Sequence, residues 1–167
     1  MAFGESRKNP TIIPAQGSVP SSPSRRYTPN MKMTRYWAEW IDFVAVKGLR
    51  LTASQQRFAK LFFSGSNCLL SGSAGTGKSY LIKALFEYLT TKSVAIGRTG
   101  TTGVASFNIG GQTLHSFMGI GLADEAVPEL IVKVNKSRKA RERIRVMEVL
   151  FVDEVSMCKG ELLDKVD

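Results

Sequence analysis

The sequence predicts an α/β fold, a parallel sheet flanked by helices, and two stretches of chain carry that prediction. One is a glycine-rich turn, Gly72-Ser73-Ala74-Gly75-Thr76-Gly77-Lys78-Ser79, between a short apolar run (Cys68-Leu69-Leu70) and a helix-forming stretch (Tyr80 to Leu89). The other is the apolar run Glu148-Val149-Leu150-Phe151-Val152, which closes on the carboxylates Asp153 and Glu154. Continuous apolar, β-branched runs suit strands buried on both faces of a parallel sheet. Open sheets of this class bind ligands at the C-terminal ends of their strands. Strands are expected near 68–71, 93–96 and 149–153, and helices near 54–64, 78–90 and 157–166. The short connections between them favour right-handed βαβ units.

The turn at 72–79 has the composition of a phosphate-binding loop. Its glycines let the backbone curl until successive N–H groups point inward at a triphosphate. The helix that follows adds the positive end of its dipole. Lys78 supplies a point charge for the β- and γ-phosphates, and the Ser79 hydroxyl is placed to ligate Mg²⁺. The chain is therefore expected to bind ATP or GTP, with Gly72, Ser73, Ala74, Gly75, Thr76, Gly77, Lys78 and Ser79 around the phosphates. Asp153, at the tip of the second run, is expected to hold Mg²⁺ through water, since that ion keeps much of its hydration shell. Glu154 is positioned to polarise an attacking water as general base. The plainer alternative is that the acidic pair only opens a helix over Met157 to Val166, where acids favour the N-terminus.

From Leu51 to the C-terminus, about 117 of 167 residues, the chain resembles the Pif1 family of superfamily 1 DNA helicases. The matching pieces are Leu51-Thr52-Ala53-Ser54-Gln55, the loop Gly72 to Ser79, Thr102-Gly103-Val104-Ala105, Asn108-Ile109-Gly110-Gly111, Thr113-Leu114-His115-Ser116-Phe117, Gly119-Ile120-Gly121-Leu122 and Val152-Asp153-Glu154-Val155-Ser156-Met157, with Glu161 to Lys165 after them. Many ATPases share the phosphate loop. The Asn-Ile-Gly-Gly to His-Ser-Phe run, followed by Asp-Glu-Val-Ser-Met, is specific.

The resemblance implies a partial RecA-like domain of the P-loop NTPase class. It also implies a motor that uses ATP and Mg²⁺ to move 5′ to 3′ along single-stranded DNA and to open tailed duplexes. Roles in DNA repair, recombination and telomere or genome maintenance come with it. Gln55 is implied as the reader of adenine, a task that suits an amide because it donates and accepts at once. Taken alone, Gln55 reads as a surface glutamine near a helix start. Ser54 departs from the acidic residue common at its position.

Thr102, Gly103, Asn108, His115, Ser116 and Phe117 are the implied DNA contacts. The turn Thr99-Gly100-Thr101-Thr102-Gly103 is itself rich in hydroxyl and N–H groups suited to phosphodiester oxygens. His115, the single histidine, reads either as a packing residue or as a DNA-facing or interdomain one. Gly97-Arg98 departs from the family, which continues an apolar strand there: either the strand ends early or Arg98 points to solvent or DNA.

Net charge is +9: +5 over residues 1–50, from eight basic and three acidic side chains, and +4 over the remainder. That balance favours a polyanionic partner. The densest basic run, Lys133 to Arg145, has Leu130, Val134, Ile144 and Met147 as a helical apolar backing. It reads as a solvated helix face or as an electrostatic guide for DNA.

Five of the six prolines fall within residues 1–30, so residues 1–33 are expected to be a disordered basic tail. Residues 34–50 form a short amphipathic helix and linker, with Trp37 and Trp40 either packed inward or stacking bases. Residues 51–167 make the ATPase domain. Arg7, Lys8, Arg25 and Arg26 resemble a transit peptide in charge, although the nearby prolines oppose the helix it needs. Cys68 and Cys158 are expected to stay unpaired, at opposite ends of neighbouring parallel strands. Free thiols and the lack of an apolar stretch near ~18 residues point to an intracellular protein, nuclear or mitochondrial if eukaryotic.

Superfamily 1 helicases close their ATP site between two RecA-like domains, the second bringing arginines to the developing charge. No such second domain is read in these residues. Two expectations follow: an N-terminal fragment of a longer helicase, or a truncated module that binds nucleotide and DNA without motor activity. A nucleotide kinase or AAA-type switch would share the phosphate loop but not Asn108 to Gly111 or His115 to Phe117.

Overall fold

The computed structural model describes residues 11–14 and 31–166, with side chains from Met33 onward. The chain folds as two compact units, Met1–Tyr88 and Leu89–Asp167. In the first unit, strand β1 (Thr11–Pro14) pairs antiparallel with β2 (Cys68–Ser71). Helices α1 (Met31–Thr34), α2 (Tyr36–Val46) and α3 (Ala53–Phe63) come between these strands in sequence. Helix α4 (Lys78–Thr91) follows β2 and runs across the boundary between the units.

The first unit's core is aromatic. Trp40 (2% exposed) lies 5.5 Å from Phe63 and 5.4 Å from Tyr88, and Phe63 meets Tyr88 edge-on at 5.7 Å. Edge contacts of this kind stabilise beyond the area they bury. The Tyr88 hydroxyl donates to the Tyr36 carbonyl at 3.0 Å. Burial, aided by Glu39, pushes the Tyr88 phenol up to about 12. Leu81, Ala84, Leu85 and Tyr88 recur at helical spacing and give α4 its buried face. Of the two readings of the tryptophans, both side chains take the packing one. Trp40 is core and Trp37 packs 6.2 Å from Phe63, while Ile41 on the same helix is half exposed.

In the second unit, β3 (Ile96–Gly100) is the central strand of a three-stranded sheet, flanked by β4 (Gln112–Thr113) and β5 (Val149–Asp153). Both pairings are parallel, and the register sets Gly100 opposite Asp153. Short helices α5 (Gly103–Asn108) and α6 (Leu114–Met118) flank β4 in sequence. Helices α7 (Val127–Lys136), α8 (Arg138–Val146) and α9 (Gly160–Val166), with a 3₁₀ turn at Val155–Met157, complete the unit. Leu114, Phe117, Met118, Ile120 and Leu130 form the core, and Val134, Ile144, Met147 and Leu150 pack against it. The expected apolar backing of the basic run is therefore real. The run itself divides at Ser137, whose hydroxyl accepts the Ala140 N–H and caps α8.

Several expectations need correction. The strand expected at 93–96 starts at Ile96, because α4 continues to Thr91 and Ser93 turns the chain with φ 54°. The strand does not stop at Gly97-Arg98 but runs through both to Gly100. Glycine is needed at 97 for space: a Cβ there would lie 2.8–2.9 Å from Leu150, Met147 and Phe117. Thr99, read as part of a turn, is a buried strand residue whose hydroxyl donates to the Phe151 carbonyl at 2.7 Å. The helix expected over 157–166 divides into the 3₁₀ turn and α9. Strand β2, expected in the parallel sheet, pairs with β1, so the cysteine argument loses its premise of neighbouring parallel strands. Both thiols are nonetheless free. Of the N-terminal stretch read as a tail, β1 and part of α1 are among the described residues. The rest of that tail, with Arg7, Lys8, Arg25 and Arg26, is outside the described residues.

Candidate nucleotide and nucleic-acid sites

Between β2 and α4 the chain makes the loop that the glycine spacing demands. Gly75 and Gly77 take φ +78° and +80°, a region costly for any residue with a Cβ. The loop is fastened to itself. The Thr76 hydroxyl donates to the Ser73 carbonyl at 2.9 Å, and Lys78 Nζ donates to the carbonyls of Gly72 (2.7 Å) and Ser73 (2.9 Å). Lys78 is half-buried over its own loop rather than extended into solvent, and Ser79 is exposed on the first turn of α4. Gln55 is the surprise of this unit. The sequence reads it as a surface glutamine, yet it is 3% exposed. Its side chain bonds to Thr52 N–H at one end and to the loop carbonyls of Thr76 and Gly77 at the other.

In the second unit, β5 ends on half-buried Asp153, followed by exposed Glu154. Asp153 Oδ1 accepts the Glu154 N–H at 3.0 Å. Glu154 sits in the left-handed region (φ 54°), which sharply redirects its side chain from the line of the strand. Its carbonyl accepts the Thr101 hydroxyl at 3.0 Å, while the Thr101 N–H donates to the Asp153 carbonyl at 3.2 Å. Thr101 thus holds the backbone of both carboxylates, a role that motif reading missed. Only the parallel register of β3 and β5 brings it there. Among the described residues there is no cluster of three or more His, Cys, Asp or Glu side chains able to hold a metal. Burial raises both thiols, Cys68 to about 11, which leaves neither a ready nucleophile.

The residues expected along DNA separate by burial. The Thr102 hydroxyl caps α5 by accepting the Ala105 N–H at 3.1 Å, with Gly103 exposed beside it and Asn108 exposed at the helix's far end. His115 is half-buried. Ser116 is exposed, and its hydroxyl donates to Gln112 Oε1 at 3.1 Å. Phe117, at 7% exposed, is a core side chain. Arg143 lies over its ring at 5.3 Å and donates to the Phe117 and Ser116 carbonyls at 2.7 and 3.0 Å. Arg143 therefore leaves the pool of solvent-facing cations. Val104 (74% exposed) and Phe107 (83% exposed) stand out on the outer face of α5, a placement that the motif did not give. The threonine cap at 102 with small residues at 105 and 106 is the signal that could have found them.

The model of the PIF1-like helicase family matches residues 50–167. The chain belongs to the PIF1-like helicase family. It is 48% identical over 107 residues to an ATP-dependent DNA helicase PIF1 of Emericella nidulans, covering 62% of this chain and 14% of that protein. It is 42% identical over 123 residues to an ATP-dependent DNA helicase PIF1 of Candida albicans, covering 73% of this chain and 14% of that one. The crystal structure of the Pif1 helicase from Candida albicans matches with a TM-score of 0.61 at 40% identity, over 70% of this chain and 27% of that chain. The chain thus spans about 14% of the length of these two PIF1 relatives. The likeness extends the family's RecA-like α/β architecture to this chain. No helix among the described residues is long and apolar enough to cross a membrane.

Proposed function

We propose that this chain carries the nucleotide-binding, first RecA-like part of an ATP-dependent 5′ to 3′ DNA helicase. The phosphate loop carries the reading: a left-handed Gly75 and Gly77 between strand and helix, with Lys78 at the helix start, in a chain of the PIF1-like family. Residues 72–79 cradle the polyphosphate, and Lys78 exchanges its loop carbonyls for phosphate oxygens when nucleotide arrives. Gln55 is the proposed adenine contact.

The exposed Ser79 hydroxyl and the Asp153 carboxylate are hard oxygen donors of the kind Mg²⁺ takes alongside retained water. When bound, that ion neutralises phosphate charge. Glu154, directed off the strand line by its left-handed backbone, is the proposed general base for the attacking water. Thr102, Gly103, Asn108, His115 and Ser116 are the proposed contacts to single-stranded or tailed duplex DNA, with Phe117 supporting the last two from the core. Roles in repair, recombination and telomere or genome maintenance belong to the same proposal, as does an intracellular site of action in nucleus or mitochondrion.

Hydrolysis at speed also needs cationic groups against the transition-state charge, which in related sites contribute about 10³–10⁵ in rate. We assign these to a second RecA-like domain, supplied in cis or in trans. The test is ATP hydrolysis with and without single-stranded DNA, on residues 1–167 alone and with that domain added. Weak hydrolysis that becomes DNA-stimulated on addition is the expected result. Full DNA-stimulated hydrolysis and ATP-driven unwinding by residues 1–167 alone would contradict the assignment. Nucleotide and DNA binding with no hydrolysis in either case would favour a binding module.

A further inference from the structure

Gln55 makes contacts that adenine reading does not require. It stands at the third position of α3, and its Oε1 accepts the Thr52 N–H at 2.9 Å while its own N–H donates to the Thr52 hydroxyl at 3.3 Å. These two bonds close a capping box. An amide has one accepting and one donating end, so with Oε1 committed to Thr52 only Nε2 can face a carbonyl. Nε2 lies 3.1 Å from the Gly77 carbonyl and 3.4 Å from that of Thr76. The same Gly77 carbonyl accepts the Leu81 N–H at 3.1 Å, the first turn of α4. One buried side chain therefore joins the start of α3 to the end of the phosphate loop and the start of α4.

Planar trans peptides turn this into control of direction. The Thr76 carbonyl shares a peptide unit with the Gly77 N–H, and the Gly77 carbonyl shares one with the Lys78 N–H. In a trans unit the two groups point opposite ways. Drawing both carbonyls toward Gln55 therefore aims the N–H groups of Gly77 and Lys78 away from it, to the other side of the loop. Gly77 suits the contact in two respects. Its φ is +80°, and a Cβ there would lie 2.6 Å from Gln55 Nε2.

We propose that Gln55 is a positioning residue for the phosphate loop, orienting its N–H groups for a polyphosphate whatever base is attached. This deepens the nucleotide-binding reading and rests on it.

The experiment measures affinity for magnesium ATP and magnesium tripolyphosphate, which has no base, in the unaltered chain, Gln55→Ala and Thr52→Ala. Gln55→Ala is expected to weaken tripolyphosphate about tenfold, the effect of one to two lost buried hydrogen bonds, and ATP by at least that factor. Thr52→Ala breaks the same capping box from its hydroxyl side and leaves the amide on Gly77. It is expected to lower the thermal midpoint without changing tripolyphosphate affinity. Loss of ATP affinity alone in Gln55→Ala would overturn the proposal and leave Gln55 as a base reader. Equal weakening of tripolyphosphate by Thr52→Ala would overturn it in favour of general loosening of α3. If the unaltered chain binds neither ligand, the reading of the loop itself fails, and this inference with it.

Discussion

The glycines of the phosphate loop and those around the acidic strand do opposite jobs. In the first unit, Gly75 takes φ +78° with open space where a Cβ would go. It is glycine for its backbone conformation. In the second, Gly100 has no such backbone demand, yet a Cβ on it would lie 2.4 Å from the Ser106 nitrogen and 2.8 Å from the Ala105 carbonyl carbon. Gly111 is tighter still: a Cβ there would overlap the Arg98 carbonyl oxygen, 2.0 Å away. These are glycines for space, because α5 and the chain entering β4 pack directly on β3. The lesson is that one residue type marks a ligand cradle in one unit and a close-packed sheet in the other. Substitution should separate them, through binding in the first case and stability in the second.

Gly100→Ala has the largest expected effect of the three substitutions that follow. Its methyl meets backbone, which cannot swing aside, so a loss of about 3 kcal/mol is expected, at the upper end for overpacking. Chemical denaturation would measure it, and a midpoint unchanged from the parent would remove the distinction. Gly75→Ala should cost less in stability, about 1–2 kcal/mol for a residue forced left-handed. It should instead weaken ATP binding, as titration would show; intact affinity would mean that the loop's curl is not what receives phosphate. Thr101→Val is the mildest change. It removes the hydroxyl held 3.0 Å from the Glu154 carbonyl and keeps the bulk, for about 1 kcal/mol. Denaturation of this variant together with Glu154→Gly, whose glycine tolerates φ 54°, would show whether Thr101 restrains the left-handed turn. The two effects should then be less than additive.

How far the sequence could be read follows the same division. The loop at 72–79 was legible because all its determinants lie within eight consecutive residues. Strand β5 was legible to the residue, since an apolar run ending on two carboxylates marks both its burial and its end. Register was not legible. Nothing local to Thr101 announces that it faces a carbonyl 53 residues away. Gly97 looked like a strand breaker because the Phe117 ring that requires it is distant in sequence. Gln55 read as a surface residue for the same reason: its partners Thr76 and Gly77 lie 21 and 22 residues on. Phe117 was placed on the DNA path by motif and in the core by packing, because motifs record which residues recur together and not which way each faces.

The central claim is that residues 72–79 receive a nucleotide's phosphates through Lys78. Calorimetric titration of magnesium ATP into the chain and into Lys78→Ala, with circular dichroism on both, tests it directly. Among the described residues, Lys78 Nζ bonds to carbonyls of its own loop, so its removal takes away ligand charge and little packing. Saturable binding at one site in the parent, weakened about 100-fold or more in a variant with an unchanged fold, is the predicted result. Equal affinity in the two proteins would contradict it.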